Sequence, residues 1–154
     1  MANTQLTTSM QTSVPVEYLF TFTATLVPPH IIESGPQGTR VIIGVTGGTF
    51  EGPKLRGTLV LPAGEWATVR PDGSAKADVR LTLKTDDGAL ILMTYHGIGL
   101  PQADGNVSIR TAPLFETSDA RYAWLNTIQA VGIGTTVGGA AGFESVSYDI
   151  YALR

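Results

Sequence analysis

Four charged side chains stand where they could do chemistry. In Ala77-Asp78-Val79-Arg80-Leu81-Thr82-Leu83, alternation puts Val79, Leu81 and Leu83 on one face and Asp78, Arg80 and Thr82 on the other. Asp78 and Arg80 would lie about 7 Å apart on their shared face. Turned to solvent, they are ordinary surface charges. Turned into a barrel, they are a buried acid with a cationic partner, and such burial shifts pKa values. Alternation alone leaves both orientations open. Arg110 shares a face with Ser108, Ala112 and Leu114. An Arg among small and apolar neighbours can bind a ligand carboxylate or enolate oxygen, or make a structural salt bridge. Glu51, between Gly47-Gly48-Thr49-Phe50 and Gly52-Pro53, sits in a Gly-flanked corner. It could act as an acid or base, or accept backbone amides in a turn.

Walls for such a site are available. On an extended segment Trp124, Asn126 and Ile128 share a face, pairing an apolar surface with a donor and an acceptor. Trp66 and Tyr95 could extend the wall; each alone is also ordinary core. Together these residues make a minimal catalytic set. Asp78 or Glu51 would move a proton beside a carbonyl, and Arg110 with Asn126 would stabilise the oxyanion. Trp66, Tyr95 and Trp124 would raise the carboxylate pKa. Dehydration, double-bond isomerisation and cyclisation fit this set.

Other chemistries lack their residues. The run Gly47 to Lys54 imitates a phosphate loop, but Pro53 stands where Lys must follow the second Gly. Gly132-Ile133-Gly134 lacks the third Gly of a dinucleotide fingerprint. No Gly-x-Ser-x-Gly elbow occurs. His30 and His96 are the only histidines, too few for a three-histidine metal site. Without cysteine, disulfides and thiolate chemistry are excluded. The expectation is an enzyme or binding protein that uses no cofactor and no metal.

Composition narrows the partners. The net charge is −3 and the ten Lys and Arg are scattered singly, so neither nucleic acid nor an anionic membrane is an expected partner. Charged residues make up 15%, low for a soluble domain, which suggests that part of the surface is covered by a homodimer or higher homo-oligomer. The first residues show no secretion signal and no apolar run spans a membrane, so a cytoplasmic location is expected.

The elements that must position these residues are strands. Residues 1–14 read as a disordered tail and 15–154 as one domain. Nine strands are expected: Tyr18 to Leu26, Arg40 to Val45 continuing past a bulge at Gly47-Gly48, Leu55 to Leu61, Glu65 to Arg70, Ala75 to Thr85, Ala89 to His96, Val107 to Phe115, Trp124 to Ile133, and Glu144 to Leu153. Glu33 to Thr39 reads as a loop, and Thr117 to Ala123 as one helical turn. Several strands carry apolar residues on both faces. An all-β antiparallel barrel of eight or nine strands with a subunit interface would cover both; a two-sheet sandwich is the alternative.

The order of several segments carries a family resemblance. Gly47-Gly48-Thr49-Phe50-Glu51-Gly52-Pro53 leads to Leu55-Arg56-Gly57. Trp66-Ala67-Thr68-Val69-Arg70-Pro71-Asp72-Gly73 comes next, then Ala77 through Gly88, Arg110-Thr111-Ala112-Pro113 and Tyr122-Ala123-Trp124-Leu125-Asn126. From about Val16 to Leu153 the chain resembles the domain of unknown function 3237 family. That resemblance implies a small self-associating barrel in the style of allene oxide cyclase and dirigent proteins. It also implies lyase or isomerase chemistry, since fungal relatives look like polyketide-pathway dehydratases or cyclases. Carried over, the family's polar signature falls on Glu51, Asp78, Arg110, Thr111, Trp124 and Asn126, with Thr111 added to the substrate-binding set. Two departures stand out: a short loop between Gly97 and Val107, and Leu81 where an aromatic is common. A carrier barrel for an apolar acidic metabolite and a filled structural oligomer are the other readings.

Overall fold

The computed structural model describes residues 13–138 and 142–154; the expected tail falls almost wholly outside them. Ten strands form, β1 (Val16–Leu26), β2 (His30–Gly35), β3 (Gly38–Glu51), β4 (Arg56–Val69), β5 (Ala75–Thr85), β6 (Leu90–Pro101), β7 (Val107–Thr111), β8 (Leu114–Glu116), β9 (Ala130–Val137) and β10 (Ser145–Leu153). The sheet runs β1-β10-β9-β7-β6-β5-β4-β3, and β1 pairs antiparallel with β3. It is therefore a closed antiparallel barrel of eight strands, with β2 and β8 as additions. Closure removes the exposed sheet edges that a sandwich would leave.

Most expected strands form, and the differences have local causes. Leu55 to Leu61 and Glu65 to Arg70 are one strand, β4, whose register with β5 shifts between Val60 and Gly64. Pro62 interrupts the alternation without ending the strand, because a bulge takes up the break. His30–Gly35 is a strand despite its Gly/Pro-rich surroundings; it pairs only with β3 and stays exposed. Val107 to Phe115 divides into β7 and β8 around Ala112-Pro113. Trp124 does not start a strand. Ala123–Thr127 is a 3-10 turn, and the strand begins at Ala130. Here successive backbone bonds span three residues: Tyr122 N–H to Asp119 O, Leu125 N–H to Tyr122 O, Ile128 N–H to Leu125 O. Tyr122 and Leu125 are accordingly the buried residues.

Side-chain size fills one end of the barrel and empties the other. Along β5 the inward residues are Ala75, Ala77, Val79, Leu81 and Leu83; along β6 they are Gly99, Tyr95, Met93 and Ile91. The lower end packs Phe20, Phe22, Phe50, Leu81, Ile91 and Leu125 at almost complete burial. Below it, the Tyr122 hydroxyl donates to the Asp87 carboxylate at 2.8 and 2.9 Å. Toward the upper end the inward residues shrink to Ala and Gly, leaving a hollow.

The upper wall is also opened by β3. Its lower half, Val45 to Glu51, pairs with β1, while Arg40 to Ile42 pairs with β2 instead. The register against β4 shifts between Gly44 and Gly48, at the bulge that Gly47-Gly48 announces. Gly48, at φ 153°, lies so close to the Thr23 carbonyl that a Cβ there would sit 2.0 Å from the oxygen.

Candidate functional site

The upper hollow is a cavity of about 260 Å³. Leu26, Val41, Ile43, Ala67, Val69, Ala75, Ala77, Gly99, Val107, Ile109, Phe143 and Val146 make an apolar wall around one carboxylate, Glu65. Thr136 also lines it, but its hydroxyl is engaged: it accepts the Val107 N–H at 2.8 Å and lies 3.3 Å from Asn106 Oδ1. A second apolar hollow, also of about 260 Å³, shares Leu26, Val41, Ile43 and Phe143 and adjoins the cavity at the rim.

Glu65 faces inward because the irregularity between Val60 and Gly64 adds two residues to β4 relative to β5, which preserves parity, so that Glu65 and Ala67 share the inner face with Leu59. Among the described residues no cationic side chain lines the cavity. Burial in this apolar hollow, then the negative charge of Asp78 through the wall, push the Glu65 carboxyl up to about 7. Tyr95 and Tyr148 lie close by. Their rings are 5.5 Å apart, the Tyr95 hydroxyl is directed to that of Tyr148, and burial raises both pKa values. Phe22 stacks on Tyr148 at 4.9 Å, and Gly134 leaves room for the ring, since a Cβ there would sit 2.3 Å from it. The tyrosine pair is thus fixed by packing. Thr111 faces inward over Gly132, and its buried Oγ1 has no hydrogen-bond partner.

The residues expected from sequence are not brought to one place. Tyr95 and Thr111 are inside the barrel. Asp78 and Arg80 are on the outer face, 3.9 Å apart, because Val79, Leu81 and Leu83 take the interior. Trp66 is outside too, with the Arg80 guanidinium 5.6 Å from its ring centroid. Arg110 is exposed and donates to Ser108 Oγ at 3.1 Å and to the Ile109 carbonyl at 3.0 Å. Glu51 is exposed at the far end of β3, 4.0 Å from Arg56. Trp124 packs on the lower end of the core beneath the Lys54 ammonium. Asn126 bridges a loop, accepting the Thr117 N–H at 2.8 Å and donating to the Thr117 carbonyl at 2.9 Å. Asp78, Arg110 and Glu51 therefore cannot act together on one ligand in the barrel.

Glu65, the carboxylate that does face a cavity, is not among the residues that the sequence spacing singles out. Its signal was present: Glu65, Ala67 and Val69 alternate with Trp66 and Thr68, and the partner strand offers Ala75 and Ala77. An acid in register with small residues marks a hollow. Among the described residues no group of three or more His, Asp or Glu could hold a metal ion. No helix is long and apolar enough to cross a membrane.

The sequence pattern described as "Protein of unknown function (DUF3237)" matches residues 14–153. The chain belongs to this family. It is 32% identical over 124 residues to the hydroalkoxylation enzyme phnH of Penicillium herquei, covering 80% of this chain and 76% of that protein. Among solved structures it is similar to a beta-barrel like protein from Acinetobacter baumannii, at 33% identity and a TM-score of 0.82, covering 92% of this chain and 97% of that one. It is also similar to an enzyme from Penicillium herquei, at 27% identity and a TM-score of 0.69, covering 95% and 98%. The fold is thus similar both to a structure described as an enzyme and to one described only as barrel-like.

Proposed function

We propose that this family member is an enzyme that makes or breaks a C–O bond by addition or elimination, with Glu65 as its proton carrier. The observation that carries this reading is a carboxyl with a pKa near 7, alone in an apolar cavity without a cation to neutralise it. A carboxylic acid kept protonated by its surroundings can deliver a proton from one oxygen and take one at the other. In a hydroalkoxylation, Glu65 would protonate an alkene carbon. The substrate hydroxyl oxygen would form the new C–O bond, and its proton would return to Glu65. The balance is neutral and calls for no other reactant. The similarity to phnH supports the reaction class. The apolar lining favours a neutral substrate, since an anionic one would meet the Glu65 carboxylate with no cation beside it. The unpaired Thr111 hydroxyl and the fixed Tyr95–Tyr148 pair lie inside the barrel but outside the cavity lining.

The test is incubation with apolar hydroxy-alkenes in deuterated water. Ring closure with one deuterium on carbon, lost in Glu65→Gln, is the expected result. Binding without turnover by either protein would instead make the cavity a carrier site for a neutral apolar metabolite.

A further inference from the structure

A second concavity lies on the other side of the same wall. It measures about 340 Å³ and is lined by Gln37, Arg40, Trp66, Thr68, Arg70, Lys76, Asp78 and His96. Arg40, Thr68 and Lys76 stand in one row across β3, β4 and β5, and Asp78 pairs with His96 beside it. Three cations therefore converge on a chain whose net charge is −3. None of the three is within salt-bridge distance of a carboxylate among the described residues. Asp78, the one acid in the groove, is approached instead by Arg80 at 3.9 Å and His96 at 4.0 Å.

Two of these cations are partly pre-positioned. The Arg40 guanidinium donates to the Trp66 carbonyl at 3.0 Å, and Arg70 Nε donates to Ser74 Oγ at 2.8 Å. Each keeps further N–H groups free for a planar, two-oxygen acceptor. Trp66 is 39% exposed. Its ring reaches over Gly64, where a Cβ would come within 3.4 Å of Cη2. Arg80 lies 5.6 Å from the ring centroid, and Asp72, which accepts from Ser74, draws on the charge of Arg70, so the aromatic surface stands beside a cluster in which Arg40 and Lys76 have no carboxylate within salt-bridge distance among the described residues.

We propose that this outer groove binds a planar aromatic anion, with its ring against Trp66 and its carboxylate or phosphate held by Arg40, Arg70 and Lys76. Neighbouring cations repel one another, and an anion relieves that repulsion while satisfying the free N–H groups. The aromatic ring gives a flat partner contact area without a buried polar group. This inference is independent of the inner cavity, which offers its ligand an apolar lining and a carboxyl rather than cations.

Calorimetry with naphthoate and with adenosine monophosphate tests it and separates the carboxylate from the phosphate source. In a Trp124→Phe background, Trp66 is the sole tryptophan of the chain and reports binding by fluorescence. Saturable binding of at least one probe, with a change in Trp66 emission, is expected. Lys76→Glu and Arg70→Gln, both surface changes, should each weaken it by about ten-fold. Adenosine or inorganic phosphate alone should bind at least about ten-fold more weakly than the nucleotide if the nucleotide is the probe that binds. Ala77→Leu, which fills the inner cavity, should leave the affinity unchanged. The proposal is overturned if neither probe saturates, if Lys76→Glu and Arg70→Gln bind like the parent, or if Ala77→Leu abolishes binding. Inorganic phosphate binding as tightly as the nucleotide would also overturn it, because the ring would then play no part.

Discussion

Glu65 and Trp66 are adjacent in the chain and face opposite sides of one barrel wall, Glu65 into the apolar cavity and Trp66 into the cationic groove. Period-two alternation places an apolar carboxyl site and a cationic site one peptide bond apart. Asp78 joins them electrostatically: it lines the outer groove, and its charge helps raise the Glu65 pKa.

If Glu65 carries the proton as the acid, turnover should be constant at low pH and fall as pH rises through about 7. Asp78→Asn removes a like charge and should move that limb to lower pH, leaving the larger effect of burial in place. Rate profiles of both proteins check this. A limb that rises through pH 7 would show that the carboxylate acts as a base.

Glu65 should also set a pH dependence of stability. Its folded pKa, about 7, lies above the ordinary 4.5, so the folded state holds its proton more tightly than the unfolded chain does. Its contribution is greatest below the ordinary value and is lost as pH rises through about 7. The full span is about 3 kcal/mol. Urea unfolding of Glu65→Gln should lack this decline and show the variant more stable than the parent above pH 7. Equal slopes in both proteins would mean that Glu65 is not desolvated.

The two ends of the barrel should respond oppositely to changes in side-chain size. Ala77→Leu projects into the cavity, so its effect on stability should stay within about 1 kcal/mol while an apolar ligand loses binding. Leu81→Ala opens a void in the filled end and should cost about 2–5 kcal/mol. Thermal melts with and without ligand separate the two.

On the outer face Ile98, Arg110, Ile133 and Asp149 form one row across β6, β7, β9 and β10. Leu90, Leu92, Leu100 and Leu114 are exposed on the same side of the barrel. Arg110 and Asp149 flank Ile133, so two copies related by a two-fold axis could exchange Arg–Asp contacts around an apolar centre. We expect a homo-oligomer by light scattering and a monomer for Ile133→Glu. A monomeric parent would rule this out.

The fold was largely legible because period-two alternation over β5, β6 and β10 is unbroken, with β1 interrupted only by a bulge at Leu19-Phe20, and turns are marked by Pro71-Asp72-Gly73 and Asp86-Asp87-Gly88. The face of each strand that points inward was harder to read. On β5 both sets, Val79-Leu81-Leu83 and Asp78-Arg80-Thr82, are compatible with alternation, and only the closed barrel decides between them. Trp124 and Asn126 misled for another reason: a turn of three-residue period looks extended when only alternate positions are read. Tyr95 and Thr111 fell inside because they follow the same inward face as Met93 and Ile109.

The change of partner along β3 has a mechanical consequence. From Val45 to Glu51 β3 is laddered to β1, whereas from Arg40 to Ile42 it is laddered to β2 on that side and to β4 on the other. A molecule entering beside Leu26 and Ile43 need not unzip any ladder that closes the ring. Admission and barrel closure are thus assigned to different halves of the same strand.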